Sequence, residues 1–258
     1  MGGMCAFPAI GFTPRCAVSP AGFPSAASTG RPPSATLELM SDKQGPRSPG
    51  SVQPWQVLLL GGASGVGKTS VSYRLAHHYG VGLTEVDDFQ IVLERITTPE
   101  QLPAVHWWRT HPEEAAALDG PGLLAHTLAY GAAVADTLDP VISNHLDPGA
   151  PLLLEGDFLL PALAARPQFA GREAGGRVAA VFLYEPDEQQ ILANYRAREA
   201  SEPRRRAHAS WDYSEWLRQE CRRLGLPAVA ARPWDTGLAR VIAAVDSRWP
   251  AAPSSLLS

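Results

Sequence analysis

At 258 residues the chain is long enough for one α/β domain with a full hydrophobic core. Its formal charge of -4 excludes general affinity for nucleic-acid backbones, which needs a basic face. Cys5, Cys16 and Cys221 are too few and too scattered for a disulfide framework or a zinc site, so the expected compartment is the reducing cytoplasm.

No apolar stretch approaches the roughly 18 residues of a membrane span, and the first residues lack the ordered features of a signal peptide. Residues 1–54 are dominated by Pro, Gly, Ser and Ala without periodicity and are expected to form a disordered tail, with Met40 an alternative start. A single domain is expected over residues 55–250, and a flexible tail over 251–258. Within the domain, residues 56–60 (QVLLL) form an unbroken apolar run, as a strand buried on both faces requires. A glycine-rich stretch follows, then a helix over 69–79 with Val71, Leu75 and Tyr79 on one face and Gly80 as its stop. A second strand over 82–86 runs into Asp87 and Asp88. The segment 91–147 is helical in pattern, with Leu124, Leu128, Ala135, Leu138, Ile142 and Leu146 on one face and Pro140 expected to kink or divide it.

Strands over 151–154 and 177–184 follow, the first ending in Glu155, Gly156 and Asp157. Helices over 187–198 and 211–224 flank an arginine-rich connection, and a strand over 227–231 and a helix over 238–245 complete the domain. Strands alternating with helices predict an α/β fold: a parallel sheet of about five strands, helices on both faces, and a helical insert.

Gly62, Ala63, Ser64, Gly65, Val66, Gly67, Lys68 and Thr69 match the phosphate-loop pattern GxxxxGK[ST] at every fixed position. Glycines let backbone N–H groups turn toward phosphate oxygens, and the following helix start, through Ser70, adds its positive dipole end. Lys68 is expected on the β- and γ-phosphates of ATP, and the Thr69 hydroxyl on Mg²⁺. Asp87, at the end of the second strand, is the candidate base for an acceptor hydroxyl; Asp88 is its competitor, with a helix N-cap as the alternative role for the pair. Glu155 is the expected second metal residue, and Asp157 the lesser candidate.

The stretches GGASGVGKTSVSYRLA, VDDF, LLLEGDFLLP and FLYEPDEQQILANYRARE together resemble the P-loop small-molecule kinases. Within that group they look like the 2-phosphoglycerate kinase-like and chloramphenicol phosphotransferase-like proteins, over about residues 56–245. The resemblance implies the three-layer P-loop fold, ATP and Mg²⁺ as cofactors, and Asp87 as base. It also implies a lid that brings arginines to the triphosphate, drawn from Arg196, Arg198, Arg204, Arg205 and Arg206, and Trp234 or Arg232 beside the adenine. Arg196 and Trp234 are therefore counted with the nucleotide site, and Arg198 with the catalytic residues Lys68, Asp87 and Asp88.

The insert carries a cluster without a counterpart in that group, His106-Trp107-Trp108-Arg109-Thr110-His111, whose Trp107, Trp108, Arg109 and His111 are candidate acceptor-pocket residues. The function so implied is transfer of the γ-phosphate of ATP to a hydroxyl of a small molecule, with no membrane and no general nucleic-acid partner. A polynucleotide end kinase and a regulatory ATP-binding switch are the alternatives.

Overall fold

The computed structural model describes residues 53–147, 149–198 and 203–250. The two expected tails lie outside these residues except at 53 and 54, and Gln53 already donates its side-chain amide to the Tyr79 carbonyl. Trp55 is buried edge-on against Tyr79, with ring centroids 5.1 Å apart.

Five parallel strands form one sheet in the order β2-β3-β1-β6-β7. They are β1 (Val57–Gly62), β2 (Gly82–Glu85), β3 (Leu152–Gly156), β6 (Val178–Tyr184) and β7 (Ala228–Ala230). β1 and β3 are buried along their whole length, as their unalternating apolar sequences require when helices cover both faces. α1 (Lys68–Tyr79) and α9 (Gly237–Arg248) pack on each other and over the sheet. The other layer is built from α5 (Gly120–His145), α6 (Pro161–Ala164) and α8 (Arg204–Leu224), with α7 (Glu188–Arg196) beside α8. This is the expected three-layer P-loop fold. A small antiparallel pair, β4 (Gln168–Phe169) with β5 (Arg172–Glu173), is an addition that its short sequence did not announce.

The strand register sets the site. Glu155 of β3 lies level with Leu60 of β1 and Glu85 of β2, and Gly156 with Gly61. The loops leaving β1, β2 and β3 therefore emerge side by side at the carboxyl edge of the sheet, where open α/β sheets bind ligands.

Four helices occupy the insert: α2 (Val86–Ile96), α3 (Pro103–Thr110), α4 (Pro112–Ala117) and α5. β2 ends one residue earlier than predicted, because α2 begins at Val86 without an intervening loop. Asp87 and Asp88 thus sit inside the first turn; the N-cap position is Glu85, and it makes no side-chain cap bond. The expected capping role for the pair is corrected accordingly. Pro140 does not divide α5, which runs unbroken through it. Pro140 lies on the exposed side, where the carbonyl it leaves unpaired can bond water, while Leu138 and Ile142 stay buried on the other side. The arginine-rich connection is likewise shorter than predicted, since Arg204, Arg205 and Arg206 form the first turn of α8.

Leu59, buried in the central strand, should be expensive to truncate: Leu59→Ala is expected to lower unfolding stability by about 2–5 kcal/mol. Ile91, 56% exposed on α2, should tolerate the same change within ~0.5 kcal/mol. Urea titrations of the two variants check the contrast.

Candidate active site

The loop between β1 and α1 has the backbone that its glycines permit. Gly65 and Gly67 hold φ of 79° and 93°, in the left-handed region closed to most side chains. A Cβ on Gly67 would fall 2.7 Å from the Trp234 ring, so the glycine is also needed for the close approach of that aromatic. Gly67 is the N-cap of α1 and offers no side-chain acceptor, and the first turn holds no acidic residue. The helix start is therefore left to an external anion, which its dipole favours. Thr69 and Ser70 are exposed beside it.

Side chains from α7 and α8 hold the loop from behind. Asn194 Nδ2 donates to the Gly65 carbonyl at 2.8 Å, and Ser210 Oγ donates to the Ser64 carbonyl. Tyr213 Oη donates to the Asp157 carbonyl at 2.9 Å. These three residues escape sequence reasoning, because an Asn, Ser or Tyr on a helix face carries no sign of a distant carbonyl partner.

Lys68 is only 5% exposed. Its Nζ donates to Asp157 Oδ1 and to the Ala63 carbonyl at 3.2 Å, and lies 3.8 Å from Glu155 Oε1. Burial pulls the ammonium pKa down, but Asp157, Glu155 and Asp87 outweigh it and hold the pKa above the ordinary lysine value. Asp157, the lesser of the two third-strand acids in the sequence reading, is thus the direct partner of Lys68. Glu155 is buried as well; its carboxyl is raised by burial, Asp157 and Glu85, against the pull of Lys68.

The acidic pair on α2 is split by orientation. Asp88 is exposed, whereas Asp87 turns inward and its Oδ1 is buried with no hydrogen-bond partner. Desolvation, then Asp157, Glu155 and Glu85, push the Asp87 carboxyl up to about 7, with Lys68 acting in the opposite sense.

The expected arginines have different occupations. Arg205 Nη2 donates to the Ala115 and Leu118 carbonyls at 2.8 and 2.9 Å, tying α8 to the α4–α5 connection rather than facing the loop. Arg198 and Arg206 lie over the Tyr195 ring, at 5.3 and 4.3 Å from its centroid, and Tyr195 packs under Gly65. Arg196 ends α7 and Arg204 opens α8. Arg232 forms a double hydrogen bond with Glu185 at 2.8 Å and reaches Asp187 at 3.3 Å, which commits its guanidinium. Trp234, 43% exposed beside Gly67, is the aromatic that flanks the loop.

The insert cluster is packed on itself. His106, 1% exposed, accepts at Nδ1 from Arg109 Nη2 at 2.8 Å. Its Nε2 faces Thr97 Oγ1 at 2.9 Å, and that hydroxyl spends its own proton on the Leu93 carbonyl. The bonds define a neutral imidazole protonated at Nε2. Trp107 stacks on His126 at 3.5 Å and on His111 at 5.5 Å, while Trp108 packs against the core. On the inner face of α2, Gln90 and Glu94 follow Asp87, and Tyr130 of α5 donates to Glu94 and feels the Asp87 charge.

No family model matches the chain. Over 111 residues it is 31% identical to 2-phosphoglycerate kinase of Pyrococcus furiosus and 29% identical to that of Pyrococcus horikoshii. Each match covers 41% of this chain and 36% of the relative, so the chain spans little more than a third of the length of the curated relatives it matches. Among solved structures, a gluconokinase from Sinorhizobium meliloti 1021 superposes over 76% of this chain and 94% of its own, at 19% identity and a TM-score of 0.43. Shikimate kinase from Acinetobacter baumannii does so over 74% and 94%, at 16% identity and a TM-score of 0.41. The curated relatives agree with the resemblance carried by the motifs: the chain is similar to the P-loop small-molecule kinases, and to 2-phosphoglycerate kinase among them.

Proposed function

We propose that the protein transfers the γ-phosphoryl group of ATP to a hydroxyl of a small molecule, with Asp87 as the base. The observation that carries this reading is the inward Asp87 side chain, whose Oδ1 is buried without a partner and whose charge acts on Lys68 at the uncapped start of α1. A nucleotide switch needs no such group.

The residues present fit a nucleoside triphosphate. The start of α1 lacks a side-chain cap, the Trp234 ring stands beside Gly67 for a base, and the Thr69 hydroxyl is exposed at the loop. Among the described residues no group of three or more His, Cys, Asp or Glu could by itself hold a metal ion. A magnesium ion would be held by Thr69 and Glu155 and would take its other oxygens from phosphate and water, neutralising charge on the transferring group. Lys68 exchanges Asp157 for phosphate oxygens, and Asp157 keeps it aimed until then. Asp87 accepts the proton of the acceptor hydroxyl as its oxygen bonds to the γ-phosphorus and the bond to the bridging oxygen of ADP breaks. Arg198, Arg196 and Arg206 on the α7–α8 side are the arginines we assign to the phosphates.

No helix among the described residues is long and apolar enough to cross a membrane. Cys221 is a buried free thiol whose pKa burial pushes up to about 12, which suits the cytoplasmic location we propose. The net charge of -4 favours a small acceptor over a polynucleotide end.

Lys68→Ala should abolish phosphoryl transfer while far-ultraviolet circular dichroism stays native; turnover near the wild-type rate would overturn the proposal. Asp87→Asn should lower turnover by about two to four powers of ten, and Asp88→Asn far less, in assays on any acceptor that consumes ATP. The acidic limb of the wild-type rate profile should have an apparent pKa of about 7 and should vanish in Asp87→Asn.

The same carboxyl sets a stability trend. Its folded-state pKa lies above the ordinary 3.8, so between these values the folded state holds a proton that the unfolded chain releases. The contribution to stability is therefore greatest at low pH and falls as pH rises to about 7. Melting curves of ligand-free Asp87→Asn should show a smaller decline across that window than the wild type.

A further inference from the structure

The inward side of α2 carries an amide that the protein itself leaves unpaired. Gln90 is 2% exposed, and neither its Oε1 nor its Nε2 has a hydrogen-bond partner. Native interiors rarely tolerate such a group, because its hydrogen bonds to water are lost and not replaced. Gln90 lies one helical turn beyond Asp87, so the two side chains share a face, and the buried Asp87 Oδ1 is also without a partner. Glu94, one turn further, receives the Tyr130 hydroxyl of α5 at 3.2 Å. Tyr130 in turn lies against Phe158, with ring centroids 4.5 Å apart, and feels the charges of both Glu94 and Asp87.

We infer that Asp87, Gln90, Glu94 and Tyr130 form the acceptor subsite, and that it takes a neutral polyhydroxylated molecule rather than a phosphorylated acid. The inference rests on the phosphotransferase reading for the role of Asp87, and goes beyond it in the class of acceptor. Charge decides the class. The charged groups that act most strongly on Asp87 are Asp157, Lys68, Glu155 and Glu85, and those that act most strongly on Tyr130 are Glu94 and Asp87. Lys68 is the cation in this set of described residues, and it is engaged by Asp157. A phosphate or carboxylate on the acceptor would face Glu94 and Asp87 with no further cation of the set to offset it. Hydroxyl groups meet no such penalty. They donate to the two carboxylates and to Gln90 Oε1 and accept from Gln90 Nε2, while the Tyr130 and Phe158 rings give an apolar wall for the carbon skeleton. Ile91, Val92 and Ile96 show their side chains to solvent on the outer side of α2, which leaves that helix room to move outward as the acceptor enters.

The test uses the full chain with ATP and Mg²⁺, offered glycerol, ribose, glucose, sorbitol or 2-phosphoglycerate, with ATP consumption and product mass as readouts. A neutral polyol should gain one phosphate, and 2-phosphoglycerate should not. Gln90→Leu should raise the KM for that polyol at least tenfold, leave the KM for ATP unchanged, and raise the melting temperature of the ligand-free protein. A purely structural glutamine would do the reverse, lowering the melting temperature and sparing the acceptor KM, and that result would overturn the inference. Gln90→Met serves the same comparison if the Leu variant does not fold. Preferred turnover of 2-phosphoglycerate would sink the inference and leave the kinase reading standing. If no acceptor consumes ATP, the kinase reading fails, and thermal shifts at millimolar acceptor with a non-hydrolysable ATP analogue decide the subsite. Stabilisation by a polyol that Gln90→Leu abolishes supports it, and absence of any polyol shift overturns it.

Discussion

A lysine ammonium as deeply buried as that of Lys68 survives only where carboxylates offset the water it has lost. Asp157 supplies the direct contact and Glu155 the second charge, and both stand where the end of β3 meets the start of α1. That meeting depends on β3 pairing with β1 in the register that sets Glu155 level with Leu60. A shift of one residue would turn Glu155 to the other face of the sheet and leave the ammonium without its second charge. The apolar packing of β1 and β3 and the charge arrangement at their ends are therefore one constraint, and the acidic surroundings of Asp87 follow from it.

The loop around Lys68 is held by contacts of a different kind. Its carbonyls are held by Asn194 and Ser210, and its tip rests on Ile191 and Tyr195. Arg196 ends α7, Arg198 follows it by two residues and Arg206 lies in the first turn of α8, so the elements that brace the loop also position the arginines assigned to phosphate. A displacement of α7 or α8 is thereby transmitted to Gly65 and Ser64 through direct hydrogen bonds. Arg205 is the exception, because it anchors α8 to the insert and couples the two sides of the cleft.

On α2 the chemistry is sorted by helical period. Asp87, Gln90 and Glu94 recur at spacings of three and four and share the inner face, while Asp88, Ile91 and Val92 look outward. Burial then acts on Asp87: with its Oδ1 removed from water and three carboxylates nearby, the proton is held to about neutral pH. A group poised there can exchange protons with a hydroxyl at physiological pH, provided a cation and Lys68 manage the phosphate charge.

The local features of the chain were legible in its order of residues, because they depend on neighbours a few positions apart. The glycine loop, the unalternating strands β1 and β3, the Gly80 stop and the acids at two strand ends all belong to this class. The undivided helix at Pro140 and the earlier start of α8 differ from the local signals for the complementary reason, since burial elsewhere on a helix can override such a signal. The contacts of Asp157, Asn194 and Ser210, the inward turn of Asp87 beside the outward Asp88, and the unpaired amide of Gln90 could be decided only by the tertiary structure. Each depends on a partner, or on the lack of one, across the cleft: Lys68 and Asp157 are 89 positions apart, and Gly65 and Asn194 are 129 apart. Side-chain type and spacing can nominate a residue for chemistry, but what surrounds its charged or polar atoms is set by the order β2-β3-β1 and the helices packed over it, and no local pattern encodes that.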